Sequence, residues 1–249
     1  MKTTAFKIPK EELENYVSLY QKIAGNFSLF SSNNYLDPLF RTLTRVYGNK
    51  IQIHMGSRFL HRYFARNYFF KNLFKNLAAF CYISNQMDIS NDAISFSIND
   101  IGCGLAPSSL AYELLFDHKE AMTFNIIDNS KYQLNCAERL LQYRDISNIK
   151  ISNKDISHCD FGEFKGLTVA SYLLCEQNKK ERNLLRSNIE KITGHFVCID
   201  YEKNISEFSK KINGFSVVFP FKISVQLTDR IKRIIGSEEI TVNGLYLFK

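Results

Sequence analysis

The chain lacks a long apolar run, a signal region and closely spaced cysteine pairs. None of its apolar runs reaches the roughly 18 residues that a membrane-spanning helix needs, so no membrane span is predicted. The segment from Met1 to Glu11 has neither the apolar region nor the small-residue cleavage site of a secretory signal. We therefore expect a cytoplasmic protein. No segment of the sequence is repeated, and none is of low complexity.

The six cysteines are scattered, and no two of them form a C-x-x-C pair. This distribution predicts reduced core residues, with no disulfide framework. His158 and Cys159 are the only adjacent pair of soft metal ligands, and no second pair follows at metal-binding spacing. We therefore expect no metal site. The cysteines are Cys81, Cys103, Cys136, Cys159, Cys175 and Cys198.

Length and charge divide the chain into two parts. The 249 residues, 45% of them apolar, suffice for one α/β domain with an appendage. Residues 1–90 contain 12 Lys and Arg against 5 Asp and Glu, whereas residues 91–249 contain 20 of each kind. The first part reads as helices, and the second alternates strands with helices. The sequence therefore predicts a basic helical domain over 1–90 and an α/β domain over 91–249.

A glycine turn from Asn99 to Pro107 is the centre of the second part. It follows an apolar run, Ile94 to Ile98, and precedes a helical pattern from Ser108 to Phe116. The order strand, tight turn and helix is typical of the ligand-binding edge of a doubly wound sheet, where backbone N–H groups approach a nucleotide closely.

Three interpretations of this turn remain open. Glycines between strand and helix also occur in structural turns that bind nothing. A dinucleotide site favours a third glycine in G-x-G-x-x-G, but Pro107 stands at that position. In the third interpretation the ligand is S-adenosylmethionine (SAM), and an acid two residues before the first glycine, here Asp100, faces the amino-acid end of the ligand.

Two later strands also have an acid at or near their ends. The strand pattern from Met122 to Ile127 leads into Asp128, which can accept both hydroxyls of a ribose. The next pattern, Ile149 to Ser152, is followed by Asp155 and Ile156. Taken singly, an acid at such a position is more often a solvated loop residue or a helix N-cap. Three acids in register with the glycine turn favour the SAM interpretation.

The turn Asp100-x-Gly102-x-Gly104 resembles the first motif of class I SAM-dependent methyltransferases, with Ala106 in place of a frequent third glycine. The resemblance implies an α/β fold with a doubly wound, Rossmann-like, seven-stranded methyltransferase sheet and an N-terminal helical domain. It implies SAM as the cofactor. The residues that it assigns to SAM are Asp100, Gly102 and Gly104 around the amino-acid end, Asp128 at the ribose, and Asp155 with Ile156 at the adenine.

The strand from Gly166 to Tyr172 ends where the fourth methyltransferase motif places residues that face the substrate, which makes Ser171 and Tyr172 the catalytic candidates. They do not form the Asn-Pro-Pro-Tyr sequence of enzymes that methylate exocyclic amines. No His/Asp pair is evident, which fits an acceptor that is a ring nitrogen with a free lone pair. A fifth strand at His195–Asp200 and a terminal hairpin, with the last strand antiparallel, complete the predicted sheet.

The N-terminal part reads as three helices, over about 10–25, 38–47 and 57–82. The third is rich in aromatic residues, and Arg58, Arg62 and Arg66 fall four residues apart on one of its faces. A core helix with a solvated basic edge is one interpretation. The other is a phosphate-binding ridge beside stacking aromatics, with the three arginines binding substrate.

A narrower resemblance bears on the substrate. Asp100 to Pro107 is similar to the D-x-G-C-G-L-N-P segment of bacterial 16S rRNA guanine-N7 methyltransferases, and His54, Ser57 and Arg58 partly match a second segment of that family. Together with the basic N-terminal part, this favours ribosomal RNA as the partner. The alternatives are a small-molecule acceptor under a helical lid that buries Phe64, Phe69 and Phe70, and a SAM-binding scaffold without catalysis.

Overall fold

The computed structural model describes residues 1–30, 65–87, 97–116, 122–164 and 166–249. These residues form an eight-stranded sheet with the strand order β1-β7-β8-β6-β5-β2-β3-β4. The strands are β1 (Thr4–Ala5), β2 (Ser97–Ile101), β3 (Thr123–Asp128), β4 (Ile149–Asn153), β5 (Leu167–Ser171), β6 (His195–Ile199), β7 (Val217–Gln226) and β8 (Glu239–Phe248).

Five parallel strands, in the order β4-β3-β2-β5-β6, form the centre of the sheet. Strands β5 and β6 are almost wholly buried, as expected for parallel strands that are covered on both faces. From β2 the chain continues to β3, which is the neighbour of β2 on one side. The neighbour of β2 on its other side is β5. The order therefore reverses between β2 and β5, which is where doubly wound sheets bind their ligands.

Strand β8 lies antiparallel between β6 and β7, as the sequence predicts for the last strand. Seven strands thus form the expected sheet, and the predicted fold class is confirmed. The eighth strand, β1, has two residues and pairs in parallel with Ile223 and Ser224 of β7. A segment of this length has no periodicity that sequence reasoning can detect.

Helices cover both faces of the sheet. The described helices are α1 (Lys10–Asn26), α2 (Phe70–Met87), α3 (Pro107–Phe116), α4 (Lys131–Gln142), α5 (Lys179–Ile189), α6 (Glu202–Ser209) and α7 (Asp229–Ile235). A π-helical turn, Ala65–Phe69, leads directly into α2. The second predicted helix lies outside the described residues. No helix in the described ranges is long and apolar enough to cross a membrane.

Helix α2 packs against the sheet domain and continues through Met87, so Ser84 to Met87 are helical beyond the predicted end near residue 82. Tyr82 lies on Phe221 with the ring centroids 5.5 Å apart. Phe80 contacts Tyr112 of α3 edge-on, at 6.3 Å. One hydrophobic cluster contains α1, α2 and one face of the sheet. The domain boundary near residue 90 stays a prediction, since residues 88–96 are not among those described.

Candidate functional site

The glycine turn lies at the carboxyl end of β2 and is tied to β3. The N–H groups of Gly102 and Cys103 both donate to the carbonyl of Ile127, at 2.8 and 3.1 Å. Gly102 and Gly104 have φ angles of +64° and +55°, which glycine adopts without steric cost. A Cβ on Gly102 would lie 2.7 Å from a methyl carbon of Leu173, so a side chain fits at this position only if Leu173 moves.

Asp128 connects the end of β3 to the glycine turn. One oxygen of its carboxylate accepts from the N–H of Gly104 at 2.9 Å, and the other accepts from the N–H of Ser130 at 2.8 Å. The residue is only 8% exposed. A carboxylate can accept several hydrogen bonds at once, so an acid at this position can also accept from the hydroxyls of a ribose.

Asp100 lies in the interior against the start of α3. One of its oxygens accepts from both the N–H and the hydroxyl of Ser109, at 3.1 and 2.8 Å. The other oxygen has no hydrogen-bond donor among the described residues. Burial, with a smaller contribution from the nearby Asp128, raises the pKa of this carboxyl to about 7, while the hydrogen bonds from Ser109 oppose the shift. Its expected contact with the amino-acid end of SAM stays a prediction.

Asp100→Asn is expected to change how stability depends on pH. Since the pKa of Asp100 is raised on folding, its protonated form stabilises the fold below pH 4, and this contribution is lost as the pH rises through 7. The asparagine keeps the acceptor for Ser109 and cannot ionise. Between pH 5 and pH 8 we expect wild type to lose about 2 to 3 kcal/mol relative to the variant.

Urea unfolding at the two pH values measures this difference. The control is Asp155→Asn, because Asp155 is exposed and has no comparable burial. Equal pH dependence in wild type and Asp100→Asn would show that the buried carboxyl does not carry the effect.

Asp155 and Ile156 follow β4. Asp155 is exposed, and one of its oxygens accepts from the N–H and the hydroxyl of Ser157, at 2.8 and 2.6 Å, so it caps the short 3₁₀ turn Ile156–His158. The side chain of Ile156 lies beside the glycine turn, 3.4 Å from the position of a Cβ on Gly102. The structure therefore brings Ile156 next to the glycine turn, and the adenine contact stays a prediction.

Tyr172 follows β5 with a φ angle of +58°, which is uncommon for a bulky residue. Its N–H donates to the carbonyl of Ile199 at 2.7 Å, which holds the backbone in this conformation. Its hydroxyl accepts from Nζ of Lys75 at 2.7 Å. Next to it, the hydroxyl of Ser171 accepts from the side-chain amide of Asn76 at 3.1 Å. Helix α2 thus adds two polar residues to this edge, neither of which sequence reasoning assigns to catalysis.

Two further acids at this edge were missed by sequence reasoning. Asp200, directly after β6, is buried and accepts from the N–H groups of Tyr201 and Cys175, at 2.7 and 3.1 Å. Glu176 is open to solvent on one side, and desolvation by the surrounding protein, followed by Asp128 and Asp200, raises its pKa to about 7. The position of Asp200 at a strand end is the same signal that identified Asp128. The edge therefore has a negative field that suits a cationic ligand.

The structure does not describe the side chains of the predicted substrate-binding arginines. Arg58 and Arg62 lie outside the described residues, and of Arg66 only the backbone, in the π-helical turn, is described. Within the described ranges, no three His, Cys, Asp or Glu side chains lie together as metal ligands would.

The sequence matches no model of a known protein family and no curated protein. Among solved structures, the magnesium protoporphyrin IX methyltransferase of Synechocystis PCC 6803 with bound SAM is similar, at 12% identity and a TM-score of 0.49, over 94% of this chain and 97% of the other.

Two more similar structures have other acceptors. The arsenic(III) S-adenosylmethionine methyltransferase of Chlamydomonas reinhardtii has 14% identity and a TM-score of 0.44, over 63% of this chain and 65% of its own. The tRNA (uracil-54, C5)-methyltransferase of Pyrococcus abyssi, in complex with S-adenosylhomocysteine (SAH), has 7% identity and a TM-score of 0.43, over 67% and 40%. At these values the likeness is one of fold, and the fold itself rests on the strand order and register given above.

Proposed function

We propose that this protein is a SAM-dependent methyltransferase that binds SAM at the carboxyl ends of β2, β3 and β5. The observation that carries the proposal is the bond between the carboxylate of Asp128 and the N–H of Gly104. It joins the glycine turn to the acid of the next strand, beside the point between β2 and β5 where the sheet reverses its order. Gly102, Gly104 and Asp100 would surround the amino-acid end, Asp128 the ribose, and Asp155 with Ile156 the adenine.

The start of α3 argues against a dinucleotide. The pyrophosphate of a dinucleotide binds to free N–H groups at the helix that follows the glycine turn. Here the helix begins with Pro107, which has no N–H, and the N–H of Ser109 already donates to Asp100. A pyrophosphate would also meet the carboxylate of Asp128. A sulfonium ligand gains from the same charge.

Methyl transfer requires an acceptor placed in line with the methyl–sulfur bond, in a site from which water is excluded. SAM, consumed as a substrate, supplies a methyl group on a positively charged sulfur. The residues of this chain hold SAM through the glycine turn and Asp128. They present the acceptor beside Ser171 and Tyr172, at the end of β5.

The charge distribution favours RNA over a small molecule as the methyl acceptor. The first candidate is a base nitrogen of structured RNA in the cytoplasm. The resemblance to the 16S rRNA methyltransferases suggests ribosomal RNA. All seven excess positive charges lie in residues 1–90, and a lid over a neutral metabolite has no need of them.

A small-molecule acceptor is the second candidate, and one observation favours it. Lys75 and Asn76 of α2 bond to Tyr172 and Ser171, so a helix of the N-terminal part covers the acceptor side of the sheet. Two of the aromatic residues predicted to surround the acceptor lie in the core instead. Phe69 and Phe70 are buried against Phe30 in the core, with centroids 5.0 and 5.1 Å from it. A scaffold without catalysis is the third candidate.

The test is incubation with SAM labelled in its methyl group, together with isolated 30S subunits or with a small-molecule extract. Label in the RNA supports the first candidate, and label confined to small molecules supports the second. SAM binding without label in either fraction would replace the enzyme with the scaffold.

Replacing Arg58, Arg62 and Arg66 together by alanine is expected to weaken RNA binding and to leave SAM affinity nearly unchanged. Each phosphate contact adds about 0.7 to 0.9 to the slope of log affinity against log salt. The triple variant should therefore lower that slope by about 2 to 3 if each arginine binds one phosphate. Filter binding to 30S RNA across a salt series measures it, and a slope equal to that of wild type would reject the phosphate ridge.

A further inference from the structure

Lys75 and Tyr172 form a fixed polar pair at the end of β5. Nζ of Lys75 lies 2.7 Å from the Tyr172 hydroxyl and 4.8 Å from the centroid of its ring. Tyr172 is held by its backbone bond to Ile199 and by edge-on packing against Tyr201, at 5.9 Å. Lys75 is half-buried in α2, so the bond joins two elements that are far apart in the sequence.

The surroundings of the pair leave Lys75 able to accept a proton and Tyr172 able to give one. Burial, followed by the like charge of Lys71 one turn away, lowers the pKa of Lys75 to about 8, while Asp200 opposes this shift. Burial and then Asp200, Tyr201 and Cys175 raise the pKa of Tyr172 well above its usual range. The tyrosine hydroxyl therefore keeps its proton, and near pH 8 a large fraction of Lys75 is a neutral amine.

We propose that Lys75, acting through Tyr172, removes the proton from a protic methyl acceptor, an O–H or N–H group bound at the end of β5. This inference rests on the proposed methyltransferase function. As the acceptor atom bonds to the methyl carbon, its proton passes to the Tyr172 oxygen and the tyrosine proton passes to Nζ of Lys75. The methyl–sulfur bond breaks, and its electron pair stays on sulfur. Lys75 then releases its proton to water.

Only an acceptor that loses a proton on methylation needs Lys75 and Tyr172. A ring nitrogen with a free lone pair, such as guanine N7, loses no proton on methylation and needs neither residue. Hydroxyl groups and nitrogens that carry hydrogen do need a proton acceptor, and general-base catalysis contributes about 10² to 10⁴ in rate. Tyr172 is the catalytic residue in this scheme, and Lys75 is a positioning residue that holds and receives the proton.

The test is the pH dependence of methyl transfer from labelled SAM between pH 6 and 9.5, with 30S subunits and a small-molecule extract as the two acceptor probes. In wild type, the rate should rise up to tenfold per pH unit and level off above about pH 8. Lys75→Met should lose this rise and fall at least about 100-fold at pH 9. Lys75→Arg should fail in the same way, because arginine keeps the charge and the hydrogen bond but does not give up its proton.

Lys71→Met is the matched control on the same helix. It should keep the rise, moved to slightly higher pH because a neighbouring positive charge is removed. Calorimetric SAM affinity should stay within about twofold of wild type in all three variants, which shows that they fold.

Rescue by Lys75→Arg would assign Lys75 a structural role and overturn the inference, as would a flat pH profile in an active wild type. A wild type that binds no SAM or transfers no label in either probe would instead contradict the proposed function itself.

Discussion

Asp128→Ala is expected to weaken SAM binding by about 1.5 to 3 kcal/mol, since a charge-assisted acceptor for the ribose hydroxyls is lost. The structure adds a second reason. The same carboxylate accepts from the N–H groups of Gly104 and Ser130, so its removal also takes away one of the bonds that tie the glycine turn to β3 and leaves those of Gly102 and Cys103 to Ile127. Isothermal titration calorimetry with SAM measures the loss.

The matched control is Asp160→Ala. Like Asp128, Asp160 accepts from the N–H two residues on, here that of Gly162 at 3.0 Å, but it is exposed and no residue of the proposed site bonds to it in the described structure. Its replacement should leave SAM affinity unchanged. If Asp128→Ala bound SAM as tightly as wild type, the assignment of this acid to the ribose would be wrong.

Gly102→Val is expected to destabilise the fold by about 2 to 5 kcal/mol. About 1 to 2 kcal/mol comes from forcing a side chain into the left-handed region, and about 1 to 3 kcal/mol from overpacking against Leu173 and Ile156. Gly104→Val has a similar φ angle, but its Cβ meets nothing closer than an oxygen of Gln133 at 3.9 Å.

Urea unfolding of the two variants separates these contributions. Gly102→Val should be less stable than Gly104→Val by about 1 to 3 kcal/mol. Equal losses would mean that Leu173 moves away at no cost and that only backbone strain matters at Gly102.

The fold could be predicted because its signals are local. Apolar runs with an acid at or near the end predicted β3 and β4, and the glycine turn predicted the order of strand and helix around Gly102. The antiparallel last strand also appears as expected. By contrast, β1 is too short to form a pattern, and α2 continues through Ser84 to Met87 because its apolar face packs against the sheet, which polarity along the chain does not reveal.

The candidate site was only partly predictable. Asp128 and the two glycines occupy the strand ends that their patterns suggest, because parallel strands bring their carboxyl ends to one edge. The burial of Asp100 against Ser109 depends on the angle of α3, which the sequence does not encode locally. Lys75 and Asn76 lie about 95 residues from their partners along the chain, so only the packing of α2 brings them to β5.

The SAM-binding site is the central claim, and calorimetric titration of the wild-type protein with SAM, SAH and NAD tests it most directly. We predict binding of SAM and SAH with dissociation constants on the order of micromolar, and no measurable binding of NAD. No binding heat with SAM, or a preference for NAD over SAM, would contradict the assignment.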